Sequence, residues 1–340
     1  MEAMAIEQER TMTDHRATMK AIVAARYGRP DVLELRDVDM PSVDDDQVLV
    51  RVHASSVNPV EWYGVPGPVF ARGDGIRRPK TIAVGADVAG RVEAVGANVT
   101  TLRPGDEVFG SAPGAWAEYA AGREARLAPK PGGISFEEAA AVPIAGCTAL
   151  QALRDHGHVQ SGQKVLINGA SGGVGTFAVQ LAKSFGAEVT AVCSTTKVDL
   201  VRSLGADRVV DYTNADFTRL GERHDLMVDV AGSRSYSAMR RAVTPEGTIV
   251  LVGGRMTYRG LGPLPHLGAT LLASRFRRPK VTFFVARITT EDLRFLAELI
   301  EAEKVRPVID RRYPLNKASE ALAYLGEGHA RAKIVLDVSA

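Results

Sequence analysis

Between an apolar strand and a helical segment the chain reads Asn168-Gly169-Ala170-Ser171-Gly172-Gly173-Val174-Gly175, and no other stretch restricts the fold as tightly. A chain that leaves a strand and enters a helix within so few residues needs permissive backbone angles where it turns. The segment follows the dinucleotide pattern G-x-G-x-x-G with Ala170 in the first glycine position and Gly172 and Gly175 in the other two. Without a Cβ, Gly172 lets a diphosphate reach the backbone, and Gly175 lets the helix pack close to the sheet. The helix start adds free N–H donors and a favourable dipole. A glycine-rich turn alone is weak evidence, but its surroundings agree. Val165–Asn168, Glu188–Cys193, Arg208–Val210, Leu226–Val230 and Thr248–Val252 read as strands. Val174–Ser184, Lys197–Leu204 and Ser235–Val243 between them have helical spacing. This alternation predicts an α/β domain with a doubly wound parallel sheet covered on both faces.

The end of the second of these strands selects the nucleotide. An acidic residue there would hold a ribose 2′-OH and favour NADH. The chain instead reads Ala191-Val192-Cys193-Ser194-Thr195-Thr196-Lys197. Ser194 can donate to a 2′-phosphate and Lys197 can neutralise it, so NADPH is the expected cofactor.

Before this domain, Lys20–Ala24, Gln47–Ser55, Asp87–Val95 and Glu107–Phe109 are short β-like runs between Pro- and Gly-containing turns, the pattern of a barrel-like β domain. Ser135 followed by Glu138 forms a capping box that opens a helix. After about residue 286 the chain reads as an amphipathic helix, Thr290–Glu303, a strand at Val308–Ile309, a helix at Lys317–Leu325 and a final strand at Lys333–Val338. Residues 1–18 are polar, lack the apolar core of a secretory signal and read as a flexible tail. No apolar run is long enough to span a bilayer. With 42 Lys+Arg against 40 Asp+Glu, the charge balance gives no reason to expect a nucleic-acid or membrane partner. Two cysteines, Cys147 and Cys193, suit a reducing compartment, and the cytoplasm is the default location.

Several longer segments carry a family resemblance: Ser56-Val57-Asn58-Pro59-Val60-Glu61-Trp62, Gly85-Ala86-Asp87-Val88-Ala89-Gly90-Arg91-Val92, Arg103-Pro104-Gly105-Asp106-Glu107-Val108, Leu204-Gly205-Ala206-Asp207 and Gly328-His329-Ala330-Arg331-Ala332-Lys333. Together they resemble the zinc-free, quinone oxidoreductase-like branch of the medium-chain dehydrogenase/reductases, from Met19 to Val338. The resemblance implies a GroES-like β-barrel domain (19–141 and 287–340) with a Rossmann NADPH-binding domain (142–286) inserted, and an active site between them. It implies that Asn58 faces nicotinamide and substrate and that Thr148 contacts the cofactor. Ser171, Gly172, Gly173 and Val174, with Gly175, would surround the diphosphate. Ser194, Lys197 and Tyr212 would surround the 2′-phosphate and ribose. Gly253, and Phe284 on a sixth strand, would line the nicotinamide pocket, with Lys333 as a further cofactor contact. The alternative readings are a turn-shaping role for Asn58 before Pro59, strand-end packing for Tyr212 and core packing for Phe284; for Asn58 the motif context favours function. The family's usual homodimer, joining two sixth strands across Val281–Val285, is expected here as well.

Zinc-dependent members of that superfamily carry a Cys where this chain reads Val57-Asn58-Pro59 and a His-Glu pair where it reads Ala86-Asp87. Two cysteines cannot build their four-cysteine lobe, and His156 and His158 are too isolated to found a site, so no metal is expected. Without a Lewis acid a simple ketone is a poor hydride acceptor, whereas a quinone or α,β-unsaturated carbonyl spreads the incoming charge by conjugation. The expected reaction is hydride transfer from NADPH to such an electrophile. Asn58 is the leading donor to the substrate oxygen, Tyr63 the second, and water a source of the final proton. A different class stays open: an NADPH-binding sensor or nucleic-acid-binding protein with little turnover, for which the basic run Arg275-Phe276-Arg277-Arg278-Pro279-Lys280 is the one local feature.

Overall fold

The structure, a computed structural model, describes residues 17–66, 83–254, 264–275, 277–328 and 330–339. Most of the tail and Phe276 of the basic run lie outside the described residues.

Turn residues and alternating burial build the first domain. β1 (Thr18–Val23) pairs antiparallel with β2 (Glu34–Asp39) in a two-stranded sheet. β3 (Gln47–Val57) leads into the short helix α1 (Pro59–Gly64), and β4 (Asp87–Val95), β5 (Glu107–Ser111), β6 (Tyr119–Arg123) and β7 (Leu127–Pro129) follow. The Ser135 capping box is formed, with both reciprocal bonds, at the start of α2 (Phe136–Ala140). After Ala141 and Val142, both fully buried, α3 (Pro143–Gln151) begins the passage to the second domain.

There β8 (Lys164–Asn168), α4 (Gly173–Ser184), β9 (Glu188–Cys193), α5 (Val198–Ser203), β10 (Arg208–Asp211), β11 (His224–Asp229), α6 (Tyr236–Met239), β12 (Val243–Leu251), α7 (Leu264–Ser274) and β13 (Lys280–Phe283) succeed one another. All pairings are parallel, in the order β10-β9-β8-β11-β12-β13. The order reverses beside β8, and in a doubly wound sheet the crevice at that reversal takes the ligand.

The chain then returns through α8 (Thr290–Glu301), β14 (Ile309–Pro314), α9 (Ala318–Gly326) and β15 (Lys333–Asp337). β15 pairs antiparallel with β3, so the first and last parts of the chain share one sheet of order β14-β15-β3-β4-β5-β7, with β6 also on β3. One cluster of buried residues runs from Ala54, Ala89 and Phe109 through α3 to Ile167, Leu181 and Val228, and packing joins the two sheets continuously.

Three expected elements differ. The segment expected as helix Ser235–Val243 is helical only over Tyr236–Met239, because Val243 is drawn into β12 opposite His224. β13 stops at Phe283, its last residue paired with β12, and leaves Val285 79% exposed. The strand expected at Val308–Ile309 begins at Ile309 and continues to Pro314 along β15.

Candidate active site

At the end of β8 the Asn168 amide donates to Asp229 Oδ1 at 2.8 Å, tying together the strand ends on either side of the crevice. Gly169 then turns the chain with φ 88°, open to glycine at no steric cost. A Cβ on Gly175 would stand 2.2 Å from the Gly169 carbonyl oxygen and 2.7 Å from the Ala170 backbone, so this glycine is required for α4 to approach the turn. A Cβ on Gly172 would meet nothing closer than 3.6 Å. The space above Gly172 is a cradle, and the first-turn N–H groups of Gly173, Val174 and Gly175 have no helical carbonyl to satisfy them. These residues fit a dinucleotide diphosphate, with Ser171 buried beside them.

At the end of β9, Ser194 caps a single turn ending at Lys197. The half-buried Lys197 ammonium donates to the Ala330 carbonyl at 3.0 Å. Burial lowers its pKa, with the Asp310 charge opposing. Tyr212 is exposed next to this turn, its N–H bonded to the Cys193 carbonyl. Asp211, at the end of β10, engages its oxygens with Thr195, Thr213 and Asn214.

The first domain contributes a buried polar cluster. Asn58 caps α1, and its backbone N–H donates to Glu61 Oε2 at 2.8 Å. Its Nδ2 donates to Asp87 Oδ2 at 2.9 Å and to Ser56 Oγ at 3.3 Å, while its Oδ1 accepts from the Lys333 ammonium. A donor-only lysine on one side and an acceptor carboxylate on the other fix which way this amide points. Ser56 also donates to Asp87 Oδ2 at 2.6 Å, and Asp87 Oδ1 accepts the Ile144 N–H of α3 at 3.0 Å. The Lys333 ammonium lies 3.5 Å from Asp87, with both side chains buried. The lysine stem crosses to the other domain, where its Cδ lies 3.0 Å from the place a Gly173 Cβ would occupy.

Burial, and next the Asp87 charge, push the Glu61 carboxyl up to about 8, against the pull of Lys333. Its Oε1 has no hydrogen-bond partner among the described residues. Burial also lowers the Lys333 pKa, while Asp87 and Glu61 oppose the change. A protonated Glu61 beside an Asp87–Lys333 pair keeps the interior near neutrality, the arrangement in which buried charge costs least.

Asn58, expected to donate to the substrate oxygen, is 2% exposed, and its amide groups are committed to Ser56, Asp87 and Lys333. Thr148 donates back to the Ile144 carbonyl at 2.6 Å and keeps its lone pairs for other partners. Tyr63 is half-buried on α1, and burial raises its phenol pKa. Gly253 has a packing reason to be glycine: a Cβ would lie 2.3 Å from the Val230 carbonyl oxygen. Phe284 is not brought to this cluster. It stacks on His156 at 4.2 Å, about two helical turns beyond Thr148. The basic run lines a hollow of about 710 Å³ with Arg275, Arg277, Arg278 and Lys280, at the starting edge of β13 and opposite the crevice. Sequence reasoning did not select Ser56, Glu61 or Asp87 as site residues. The available signals were a carboxylate opening the apolar run Asp87–Val95 and one three residues after a helix cap.

Among the described residues no three His, Cys, Asp or Glu side chains come together to hold a metal. Between Asn58 and Asp87 there is an ammonium group, and this donor set does not fit zinc. Residues 44–151 match the family described as "Alcohol dehydrogenase GroES-like domain", and residues 204–336 the one described as "Zinc-binding dehydrogenase". The chain belongs to the medium-chain dehydrogenase/reductase superfamily, with its GroES-like first domain and six-stranded Rossmann domain. Within it the chain falls in the quinone and alkenal/one oxidoreductase branch. It is 36% identical to the 2-methylene-furan-3-one reductase of Solanum lycopersicum over 94% of this chain and 79% of that one. It is 34% identical to a chloroplastic NADPH-dependent alkenal/one oxidoreductase of Arabidopsis thaliana, over the same shares. Its fold matches the quinone oxidoreductase of Coxiella burnetii with a TM-score of 0.85 at 30% identity, covering 95% of this chain and all of that one. No helix among the described residues is long and apolar enough to cross a membrane.

Proposed function

We propose that the protein is an NADPH-dependent, metal-independent reductase of quinones or α,β-unsaturated carbonyls. One observation carries the reading: the Lys333 stem lies against Gly173, the residue after the Gly172 cradle, while its ammonium reaches Asn58 and Asp87, so one side chain links the glycine turn to the buried cluster. Gly173, Val174 and Gly175 would hold the diphosphate through their N–H groups, with Gly172 leaving room for it, and Ser194 and Lys197 would hold the 2′-phosphate, with Tyr212 beside the ribose. When bound, the cofactor supplies a hydride from its nicotinamide ring. The chain's own part is positioning and charge. Asn58 is a positioning residue that locks α1 to β4 and β15. Tyr63, a protonated phenol on the same helix, is the hydrogen-bond donor to the substrate oxygen. The names of the relatives quoted above support a conjugated acceptor, which needs no metal to stabilise the product anion. The open edge of β13, paired only with β12 among the described strands, supports a homodimer.

The test is NADPH oxidation with 1,4-quinones and enones, with and without a chelator. Turnover unaffected by the chelator is expected. Dependence on added zinc would overturn the metal-free assignment, and NADPH binding without turnover on any electrophile would favour a binding protein.

A further inference from the structure

The segment from Ala330 to Lys333 touches both places assigned to cofactor phosphate. At one end the Ala330 carbonyl accepts from Lys197, the expected 2′-phosphate ligand, at 3.0 Å. At the other, the Ala332 carbonyl oxygen and Lys333 Cδ lie 3.9 Å and 3.0 Å from the position of a Cβ on Gly173, in the diphosphate turn. Between them, Ala332 is buried and holds φ 153°, a conformation that residues with a side chain rarely adopt. The Arg331 N–H is bound to Asp310, and the Lys333 N–H to the Val308 carbonyl. Lys333 then ends on Asn58 and Asp87. A strained segment is thus held at one end by a lysine that also has a better ligand available, since an ammonium bonds a phosphate dianion more strongly than a neutral carbonyl.

We propose that Lys197, Ala330 and Lys333 read the 2′-phosphate as one unit: the phosphate draws the Lys197 ammonium from the Ala330 carbonyl, and the released segment resets Lys333 against Gly173 and Asn58. This rests on the NADPH reading above and extends it. The 2′-phosphate then adds more than affinity, because its arrival changes the position of a group in the catalytic cluster. NADH, lacking the phosphate, leaves the segment latched. Discrimination between the two cofactors therefore enters kcat as well as KM, and coupling of this kind is reciprocal for binding.

The experiment uses two probes without a nicotinamide, 2′,5′-ADP and 5′-AMP, with amide hydrogen exchange read over residues 330–336 of the whole chain. We expect 2′,5′-ADP to change exchange at Arg331 and Lys333 by about fivefold or more, the lower end of ordinary coupling. With 5′-AMP no change is expected there, and K197M abolishes the response to 2′,5′-ADP. In steady-state turnover of a 1,4-quinone, K197M brings the ratio of kcat with NADPH to kcat with NADH to within about twofold of one. The latch is overturned if 2′,5′-ADP binds and protects residues 194–212 while exchange at 330–336 is unaltered. It is also overturned if K197M raises KM for NADPH but leaves the kcat ratio as it was, the behaviour of a simple phosphate contact. Failure of 2′,5′-ADP to bind at all removes the cofactor assignment itself, and the latch with it.

Discussion

Two glycines three residues apart in the same turn should respond to the same substitution in opposite ways. A Cβ on Gly175 would sit 2.2 Å from the Gly169 carbonyl oxygen, and α4 must retreat by about 1.2 Å before that approach reaches the 3.4 Å of ordinary contact. The obstacle is backbone, so no side chain can swing aside. Overpacking of this kind costs about 2–3 kcal/mol. At about 2–4 °C per kcal/mol for a domain of this size, Gly175→Ala lowers Tm by about 5–10 °C without any nucleotide present. Gly172 has φ −85°, and a Cβ there meets only the Gly169 oxygen at 3.6 Å. Gly172→Ala stays within about 1 kcal/mol of the parent in stability, because the weaker helix cap and the stiffer unfolded chain offset each other. Its methyl group fills the cradle instead. Loss of one charge-assisted hydrogen bond to the diphosphate, about 1.5–3 kcal/mol, weakens NADPH binding by about 10- to 150-fold. Thermal melts of the nucleotide-free variants and fluorescence titration with NADPH separate the two effects. A Gly172→Ala protein that binds NADPH as tightly as the parent would refute the cradle, and so would one that melts as early as Gly175→Ala.

The other predictions concern the buried cluster. Asp87→Asn leaves the Lys333 cation without its buried counter-charge and should cost about 3–5 kcal/mol in urea denaturation. Because the Glu61 carboxyl is raised to about 8 in the folded chain, the native state holds a proton that the unfolded chain releases near pH 4.5. Its contribution to stability is therefore full at acid pH and is lost as pH climbs towards 8. Glu61→Gln should flatten that decline, and superimposable Tm–pH curves for parent and variant would refute it. Tyr63→Phe should lower kcat by about tenfold and leave the Kd for NADPH unchanged. An equal fall in affinity would make Tyr63 a packing residue.

How much of this was legible from sequence depends on whether a feature repeats along the chain or exists only across it. The parallel sheet announced itself through period and punctuation: Glu188–Cys193 and Asp87–Val95 are strands at the expected bounds, and the Ser135 capping box is local by nature. β2 was invisible because Glu34-Leu35-Arg36-Asp37-Val38-Asp39 is mostly exposed, has no apolar face and is a strand only by pairing with β1. The glycine-rich turn after β8 was legible because a sharp strand-to-helix turn leaves glycines behind. The grouping of Asn58, Asp87 and Lys333 was not, since these residues lie as much as 275 positions apart and are joined by side-chain contacts.

That separation also bears on the part Asn58 plays. Read alone, an amide in an active-site motif looks like a donor aimed at substrate. Beside a buried ammonium and a buried carboxylate it becomes the group that lets both be there, accepting from one and donating to the other. Asn58→Asp keeps the shape but replaces the donor to Asp87 with a second acceptor. At neutral pH this sets the introduced carboxylate against that of Asp87, and one of the two must take up a proton. The variant should therefore gain stability on acidification through the carboxylate range, whereas Asn58→Ala, which lacks the extra titrating group, should not. If the two variants show the same dependence of Tm on pH, Asn58 does not bridge Asp87 and Lys333, and its amide is free to face the substrate after all.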